Sequence, residues 1–258
     1  MFETESENLE PIHANSESQK AFEKSKKAKN KQRFETGVNG LDTMLEGGIR
    51  WGSTVTIASD SVDKEKLCHQ LVKNALKRGF IVYYLCFKEA PERLRLTMNE
   101  DGFNAEHYEK RGLLQFYTPL ETELTRRLKD SAELIREFDK FITRMMRDVA
   151  LKVVTRKKVL IVSNNVSAIY SMLSEDPKWK DFITKGSSWL RRLVKVVGVQ
   201  LADLKDAEAA DTIADFCIIM KSIDGVPYIK ATKVSSVGWV PYRSTPNGIE
   251  IAEEFVVW

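Results

Sequence analysis

The sequence predicts an α/β protein, with a mostly parallel twisted sheet, helices on both faces of the sheet and a β-hairpin near the C-terminus. Strand-like and helix-like segments alternate from residue 33 onward, several strand segments are apolar without interruption, and Asp224-Gly225 separates the last two. Alternation of this kind predicts parallel strands joined by right-handed crossovers. Uninterrupted apolar strands are typical of a sheet covered on both faces, and Asp-Gly suits a tight hairpin turn.

The first predicted strand, STVTIAS at 53–59, is β-branched and apolar and follows Gly52. The next segment, 64–79, repeats apolar residues at helical spacing and ends at Gly79, so we expect a helix there. A second strand, FIVYYLCF, follows at 80–87. The remaining predicted elements are a helix at 91–102, a strand at 113–119, a long helix at 121–152, a strand at 159–165, a helix at 187–197, a strand at 198–204, a helix at 208–215 and the hairpin at 216–235.

The sequence predicts two regions, a charged tail at residues 1–33 and a folded domain at residues 34–258. The first segment is a charged tail in which acidic residues are followed by a basic block from Lys20 to Arg33. Apolar residues are too sparse there to offset the entropy of ordering, so we expect a disordered leader. A basic arm that binds nucleic acid, an acidic partner or a membrane surface is the functional alternative. Residues 34–258 form the predicted folded domain.

Composition excludes several classes of protein. The net charge of +3 is too small to indicate nucleic-acid binding by itself, and no apolar run reaches the roughly 18 residues of a membrane span. The three cysteines, Cys68, Cys86 and Cys217, are far apart and odd in number, which indicates unpaired thiols in a reducing, cytoplasmic compartment. The three histidines show no ligand spacing, so we expect no metal site.

One stretch, RFETGVNGLDTMLEGGIRWGSTVTI, resembles the opening segment of RecA-superfamily ATPases of the KaiC/RadA-like group. That group carries a TG-x-x-GLD-x-x-L-x-GG-I pattern before its first core strand and phosphate-binding loop. The matching residues are Thr36, Gly37, Gly40, Leu41, Asp42, Leu45, Gly47, Gly48, Ile49, Gly52 and Ser53. KRGFIVYYLCFKEAPERL further resembles the second strand, acidic pair and helix of the group. The resemblance implies a RecA-like core.

The phosphate-binding loop departs from that group. A P-loop has the form G-x-x-x-x-G-K-[ST], in which glycines let backbone amides wrap the phosphates, lysine reaches the terminal phosphates and the hydroxyl holds magnesium. Here the segment reads ASDSVDKE from Ala58 to Glu65, and only Lys64 is kept. The degenerate nucleotide-binding candidates are Ser59, Ser61, Asp63, Lys64 and Glu65. We expect Asp60 and Asp63 to face any polyphosphate and repel it, and Lys64 to be an ordinary exposed lysine.

Three further functional positions of the KaiC/RadA-like group are also incompletely matched in this sequence. The strand that should end in a magnesium-organising aspartate ends in Ser163 or Asn164, which are neutral. The carboxylate pair after the second strand is reduced to Glu89, which could act as a general base, although a helix cap or a salt bridge explains it equally well. The lysine that reaches a neighbouring subunit in the group corresponds to Lys233, without its accompanying arginine.

These departures favour a pseudo-ATPase that acts as a regulatory or assembly module through a protein partner or an active homologue, with no cofactor. The alternative is a divergent KaiC-like or archaellum-accessory (FlaH-like) ATPase that uses Lys64 and Glu89 with ATP and magnesium. A second alternative is a recombinase-paralogue-like DNA-binding module that uses the Lys20–Arg33 arm and the basic residues of 126–158. The resemblance also implies a homo-oligomer.

Overall fold

The computed structural model describes residues 33–87, 89–118, 131–167, 188–193, 195–234 and 238–251. The strands of these residues are β1 (Arg33–Phe34), β2 (Ile49–Arg50), β3 (Thr54–Ala58), β4 (Ile81–Cys86), β5 (Leu114–Tyr117), β6 (Val159–Asn164), β7 (Val196–Ala202), β8 (Phe216–Ile223), β9 (Val226–Ala231), β10 (Val240–Thr245) and β11 (Gly248–Ile251). The helices are α1 (Asn39–Met44), α2 (Asp63–Lys77), α3 (Pro91–Glu100), α4 (Ala105–Lys110), α5 (Ser131–Val154) and α6 (Ala207–Ile213).

Nine of these strands form one sheet in the order β11-β10-β9-β8-β3-β7-β6-β4-β5. The strands from β8 to β5 pair in parallel, with β3 hydrogen-bonded to β7 on one side and to β8 on the other. Strands β9, β10 and β11 extend the sheet in antiparallel fashion. The predicted fold class is therefore confirmed, with a C-terminal antiparallel region larger than the single hairpin expected.

Helices cover both faces of the parallel strands. On one face, Leu67, Leu71 and Leu76 of α2 pack in a buried cluster with alternate residues of the sheet such as Val82 of β4. On the other face, Met145 and Val149 of α5 pack against the alternate set. Both β3 and β4 are buried along their whole length. This burial explains the β-branched and apolar sequence that predicted β3 and the uninterrupted apolar sequence that predicted β4.

Two sequence predictions near the C-terminal half were wrong or incomplete. Among the described residues of the predicted helix at 187–197, only 188–191 are helical, and β7 already begins at Val196. Val196 and Val197 pair with β6, so strand pairing of β-branched residues overrides the helical pattern. The hairpin of β10 and β11 was not predicted. Residues 121–130 of the predicted long helix and residues 1–32 of the predicted tail lie outside the described residues.

The predicted Asp224-Gly225 turn joins β8 and β9, whose antiparallel register closes on Ile223 and Val226. Asp224 and Gly225 both have positive φ angles, 52° and 80°, as a tight hairpin turn requires.

We expect Gly225→Ala to lower the free energy of unfolding by about 1 to 2 kcal/mol, because a Cβ is strained at positive φ. No neighbour lies within 4 Å of the site of that Cβ, so the cost is conformational and not steric. Gly238→Ala is the matched control, since Gly238 is equally open and lies outside the positive-φ region. Urea unfolding measures both variants, and equal stabilities for the two would contradict the prediction.

Candidate functional site

The loop that follows β3 lies at the carboxyl edge of the parallel strands, where ligand sites of open α/β sheets form. It connects Ala58 to the start of α2 at Asp63. Cys86 of β4 pairs with Asn164 of β6, and Ala58 pairs with Ala202 of β7, so the ends of four strands meet here. The fold therefore brings the predicted loop candidates next to the position that a magnesium-organising residue would occupy.

Lys64 is buried, with 6% of its surface exposed, and the expectation of an ordinary exposed lysine is wrong. Its ammonium donates to the carbonyl oxygen of Ser59 at 2.6 Å and to Oδ1 of Asp203 at 2.8 Å. Asp203 directly follows β7, and its backbone amide donates to the hydroxyl of Ser167. The lysine that would reach a phosphate in an intact loop thus bonds two oxygens of its own chain.

The loop also hydrogen-bonds to itself. The hydroxyl of Ser59 accepts from the amide of Ser61 at 3.1 Å, and the hydroxyl of Ser61 accepts from the amide of Asp63 at 3.1 Å. Oδ1 of Asp60 accepts from the amide of Leu204 at 2.9 Å, so the carboxylate is bonded to the segment after β7. Two amides that could face an anion in this loop therefore donate to loop hydroxyls instead.

Asp63 joins the start of α2 to the C-terminal hairpin. Its Oδ2 accepts from the hydroxyl of Tyr242 at 2.8 Å, and its Oδ1 accepts from the hydroxyl of Ser244 at 2.7 Å. Burial raises the pKa of Tyr242, and the hydrogen bond to Asp63 raises it further. A carboxylate in the first turn of a helix is also stabilised by the helix dipole. These contacts hold a negative charge where an intact loop has glycine.

Glu65, in the first turn of α2, is close enough to Glu89 for the two carboxyl groups to interact electrostatically. Burial raises the pKa of Glu65, Glu89 raises it as well, and Lys64 opposes the rise. Oε2 of Glu65 and the hydroxyl of Tyr84 are both buried, and neither has a hydrogen-bond partner within the described residues. Burial is the main cause that raises the pKa of Tyr84, and the nearby Cys68 and Glu65 raise it further. The local environment therefore favours the neutral form of Glu65.

Asn164 is the last residue of β6 and is 3% exposed, whereas Ser163 is only partly buried. Strand β6 therefore ends in a neutral amide side chain and not in a carboxylate. No cluster of three or more histidine, cysteine or acidic side chains that could hold a metal ion occurs in the described ranges.

Lys233 lies away from the loop. Its ammonium donates to the carbonyl oxygen of Asp211 and lies 3.2 Å from Oδ2 of the same residue. It lines a surface cavity of about 400 Å³ together with Ser53 and Asp215, near the amino ends of β3 and β8. The structure therefore separates Lys233 from the loop candidates, and its predicted role between subunits remains a prediction.

Sequence reasoning did not find Asp203, Tyr242 or Ser244, although each bonds a loop residue. No motif in the sequence marks them, because their partners lie 139, 179 and 181 residues away along the chain. The three cysteines are buried and unpaired, as predicted. Burial raises the pKa values of Cys86 and Cys217 to about 12, so these thiols are poor nucleophiles.

A family model described as "ATPase: KaiC" matches residues 34–211, which is most of the chain. The chain belongs to the KaiC family. Its fold agrees with membership of the RecA superfamily, as the opening motif indicated. The match begins next to the first described strand and includes the loop, β6, β7 and Asp203.

Similar proteins come from archaea and bacteria. A UPF0273 protein of Pyrococcus horikoshii is 26% identical over 146 residues, which cover 54% of this chain and 56% of that protein. The circadian clock protein KaiC3 of Synechocystis is 23% identical over 63% of this chain and 31% of its own length. The matches therefore span about half or less of these relatives.

A solved structure of a KaiC-like protein from Pyrococcus horikoshii superposes with a TM-score of 0.66 and 22% identity, over 85% of this chain and 98% of that one. This similarity concerns the fold. Within the part of the chain that the structure describes, no helix combines the length and hydropathy that a bilayer crossing requires.

We expect Lys64 and Asp203 to be energetically coupled. Asp203→Asn leaves the buried ammonium without its charged partner and should cost about 2 kcal/mol of unfolding free energy. Because the Asp203 side chain is 36% exposed, the coupling with Lys64→Met in a double-mutant cycle should be nearer 1 kcal/mol. Lys73→Met, farther along α2 and outside the loop contacts, controls for the loss of a lysine. A coupling below about 0.3 kcal/mol would contradict the ion pair.

Glu65 should make stability depend on pH. Because its folded pKa is raised, the folded state holds the proton more tightly than the unfolded chain, and this contribution is lost as pH rises through the folded pKa. Glu65→Gln should therefore stabilise the protein at pH 7 more than at a pH below 4.5, the ordinary glutamate value. Thermal unfolding at both pH values measures the difference, with the exposed change Glu100→Gln as the charge control. A larger gain at low pH would contradict the prediction.

Proposed function

We propose that this chain is a non-catalytic member of the KaiC family and that it acts as a regulatory or assembly module through protein partners. The observation that carries the proposal is the bonding of Lys64, whose ammonium contacts the carbonyl of Ser59 and the carboxylate of Asp203. The positive charge of a lysine held in this way is balanced by a carboxylate of the same chain. It would have to leave both oxygens before it could contact a phosphate.

The loop residues do not fit a magnesium–nucleotide complex. A phosphate loop needs close backbone approach, yet side chains occupy both signature glycine positions, at Ala58 and Asp63. Asp63 is fixed at the mouth of α2 by Tyr242 and Ser244, so its negative charge would face the phosphates. Like charge at this position cancels the attraction that a helix N-terminus offers an anion.

The magnesium ligands are also unsuitable. Asn164 offers a neutral amide where a carboxylate would organise the hydrated ion. Glu65 replaces the ligand hydroxyl, and burial favours the neutral form of its carboxyl. Phosphoryl transfer depends almost wholly on positioning and charge stabilisation, so these changes together remove most of what a protein contributes to it.

A scaffold whose reaction site is closed can still present surfaces to other proteins, because function resides in sites and not in the fold. We therefore assign the KaiC-family fold of this chain a role in binding a partner, for which an active KaiC-family homologue is the first candidate. A second copy of this chain is the alternative partner. A divergent ATPase, KaiC-like or archaellum-accessory, would need Lys64 to exchange Asp203 for phosphate and Glu89 to act as the base.

We expect no binding of a fluorescent ATP analogue at high micromolar protein, with or without magnesium, because the loop bonds its own atoms. Equilibrium titration of the wild type, Lys64→Ala and the control Lys73→Ala measures this, with an ATPase that has an intact phosphate loop run in parallel. Magnesium-dependent binding that Lys64→Ala abolishes and Lys73→Ala retains would overturn the proposal. It would establish the divergent-ATPase alternative instead.

The partner role has a separate test. A catalytically active KaiC-family protein from the same cell is assayed for ATP turnover with and without a stoichiometric amount of this chain, and complex formation is followed by light scattering. The proposal expects a stable complex and a changed turnover. Unchanged turnover and separate particles would rule out the homologue as the partner.

A further inference from the structure

Basic side chains line the amino edge of the sheet, opposite the closed loop. Segments that precede three adjacent strands, β4, β6 and β7, contribute six cations, here called the amino-edge row: Lys77, Arg156, Lys157, Lys158, Arg192 and Lys195. None of the six has an acidic partner within the described ranges. Among those residues, no salt bridge therefore neutralises the row.

The strand pairing brings these cations close together. The carbonyl of Lys158 accepts from the first amide of β4, and the carbonyl of Lys195 accepts from the first amide of β6. The ammonium of Lys158 lies 5.3 Å from the centre of the Trp51 ring and 5.1 Å from that of Phe80, and the Arg78 guanidinium lies 5.5 Å from the latter. Two positively charged side chains therefore lie against two aromatic rings at this edge of the sheet.

Crowding of like charge acts on Lys158. Burial lowers its pKa, Arg78 and Lys195 lower it further, and Glu35 opposes them. Arg78 itself is paired with Glu35 at 3.2 Å, which leaves Lys158 and Lys195 to repel each other. An anion placed on this edge would relieve that repulsion, so the row favours a ligand that carries several negative charges in sequence.

We propose that the amino-edge row binds the phosphate backbone of nucleic acid without reading its base sequence. Three adjacent strands span about 10 Å, a length over which duplex DNA presents about six phosphate charges. The row supplies a matching number of cations from loops that a rigid sheet holds in place. The Phe80 ring is only 4% exposed and Lys158 lies over Trp51, so backbone contacts and not base stacking are available.

The chain also reaches this end of the sheet at Arg33, which lines a cavity with Ser53 and Asp215 at the amino ends of β3 and β8. The basic block that begins at Lys20 precedes Arg33 directly in sequence. The basic block is a second source of positive charge in the sequence, so the test must separate its contribution from that of the row. Exposed Leu151 and Val154 lie at the end of α5 near the row, so an anionic membrane is the competing ligand to be tested.

The test uses the full chain and a fluorescent duplex of about 30 base pairs, with anisotropy measured between about 50 and 200 mM salt. The row variant is Lys157→Gln/Arg192→Gln/Lys195→Gln. Its matched control, Arg93→Gln/Arg144→Gln/Lys205→Gln, removes the same charge from exposed residues on α3, α5 and the segment after β7. Both variants keep the basic block before Arg33 and all loop residues. Circular dichroism and thermal melting confirm that both fold.

We expect the wild type to bind and to lose about a thousandfold in affinity across that salt range, as some six phosphate contacts imply. The row variant should bind at least about tenfold more weakly at low salt, with a log–log salt slope shallower by roughly 2 to 3, whereas the control stays near the wild type. A single-stranded probe of the same length tells which form of nucleic acid is preferred.

Three results would overturn the proposal: no binding by the wild type at low salt, equal effects of the two variants, or a row variant that loses affinity for anionic vesicles but not for DNA. The last result would assign the row to membrane lipid. None of these outcomes bears on the closed loop, because the substituted residues lie at the opposite edge of the sheet.

Discussion

The parallel pairing of β3 with β7 on one side and β8 on the other is the constraint on which the rest of the structure depends. It buries β3 completely and sends every loop that follows a parallel strand to one edge of the sheet. Lys64 and Asp203 meet only because β3 and β7 end side by side. The same pairing gathers the segments before the strands at the other edge, where the basic residues lie. Among the described residues, one edge of the sheet thus carries a loop whose lysine is paired within the chain, and the other edge carries six cations that make no salt bridge.

The closed loop is stabilised by the groups that would otherwise recognise a phosphate. Lysine, loop amides and a helix N-terminus all attract anions, and here each is bonded to an oxygen of the chain itself. Carboxylates and hydroxyls of the chain therefore accept the hydrogen bonds that a bound ligand would accept in an open site. Lys64 and the loop amides should therefore stay in place without a ligand, because their hydrogen bonds are made in the folded state.

The fold could be predicted from the sequence largely because β3 is β-branched, β4 is continuously apolar, β6 is apolar up to Val162, and Asp224-Gly225 admits few backbone conformations. The position of the loop also followed from the opening motif. The burial of Lys64 could not be predicted, since it depends on Asp203 at the end of another strand. Likewise, nothing local marks Tyr242 and Ser244 as partners of Asp63. The start of β7 was missed because Val196 and Val197 acquire their strand conformation from pairing with β6.

The bonds from Asp63 to Tyr242 and Ser244 join residues 179 and 181 positions apart, which matters while the chain is being made. At about 5 to 20 residues per second, roughly 9 to 36 s separate the synthesis of the loop from that of its last partners. During this interval Asp63 lacks both of its partners, whereas the residues that bond Lys64 and pair with β3 are made earlier. The hydrogen bonds of Asp63 to the hairpin are thus among the last contacts of the loop to form. Truncation of the C-terminal hairpin would remove both partners of Asp63 and leave β9 as an unpaired sheet edge, a state prone to capture by chaperones or to aggregation.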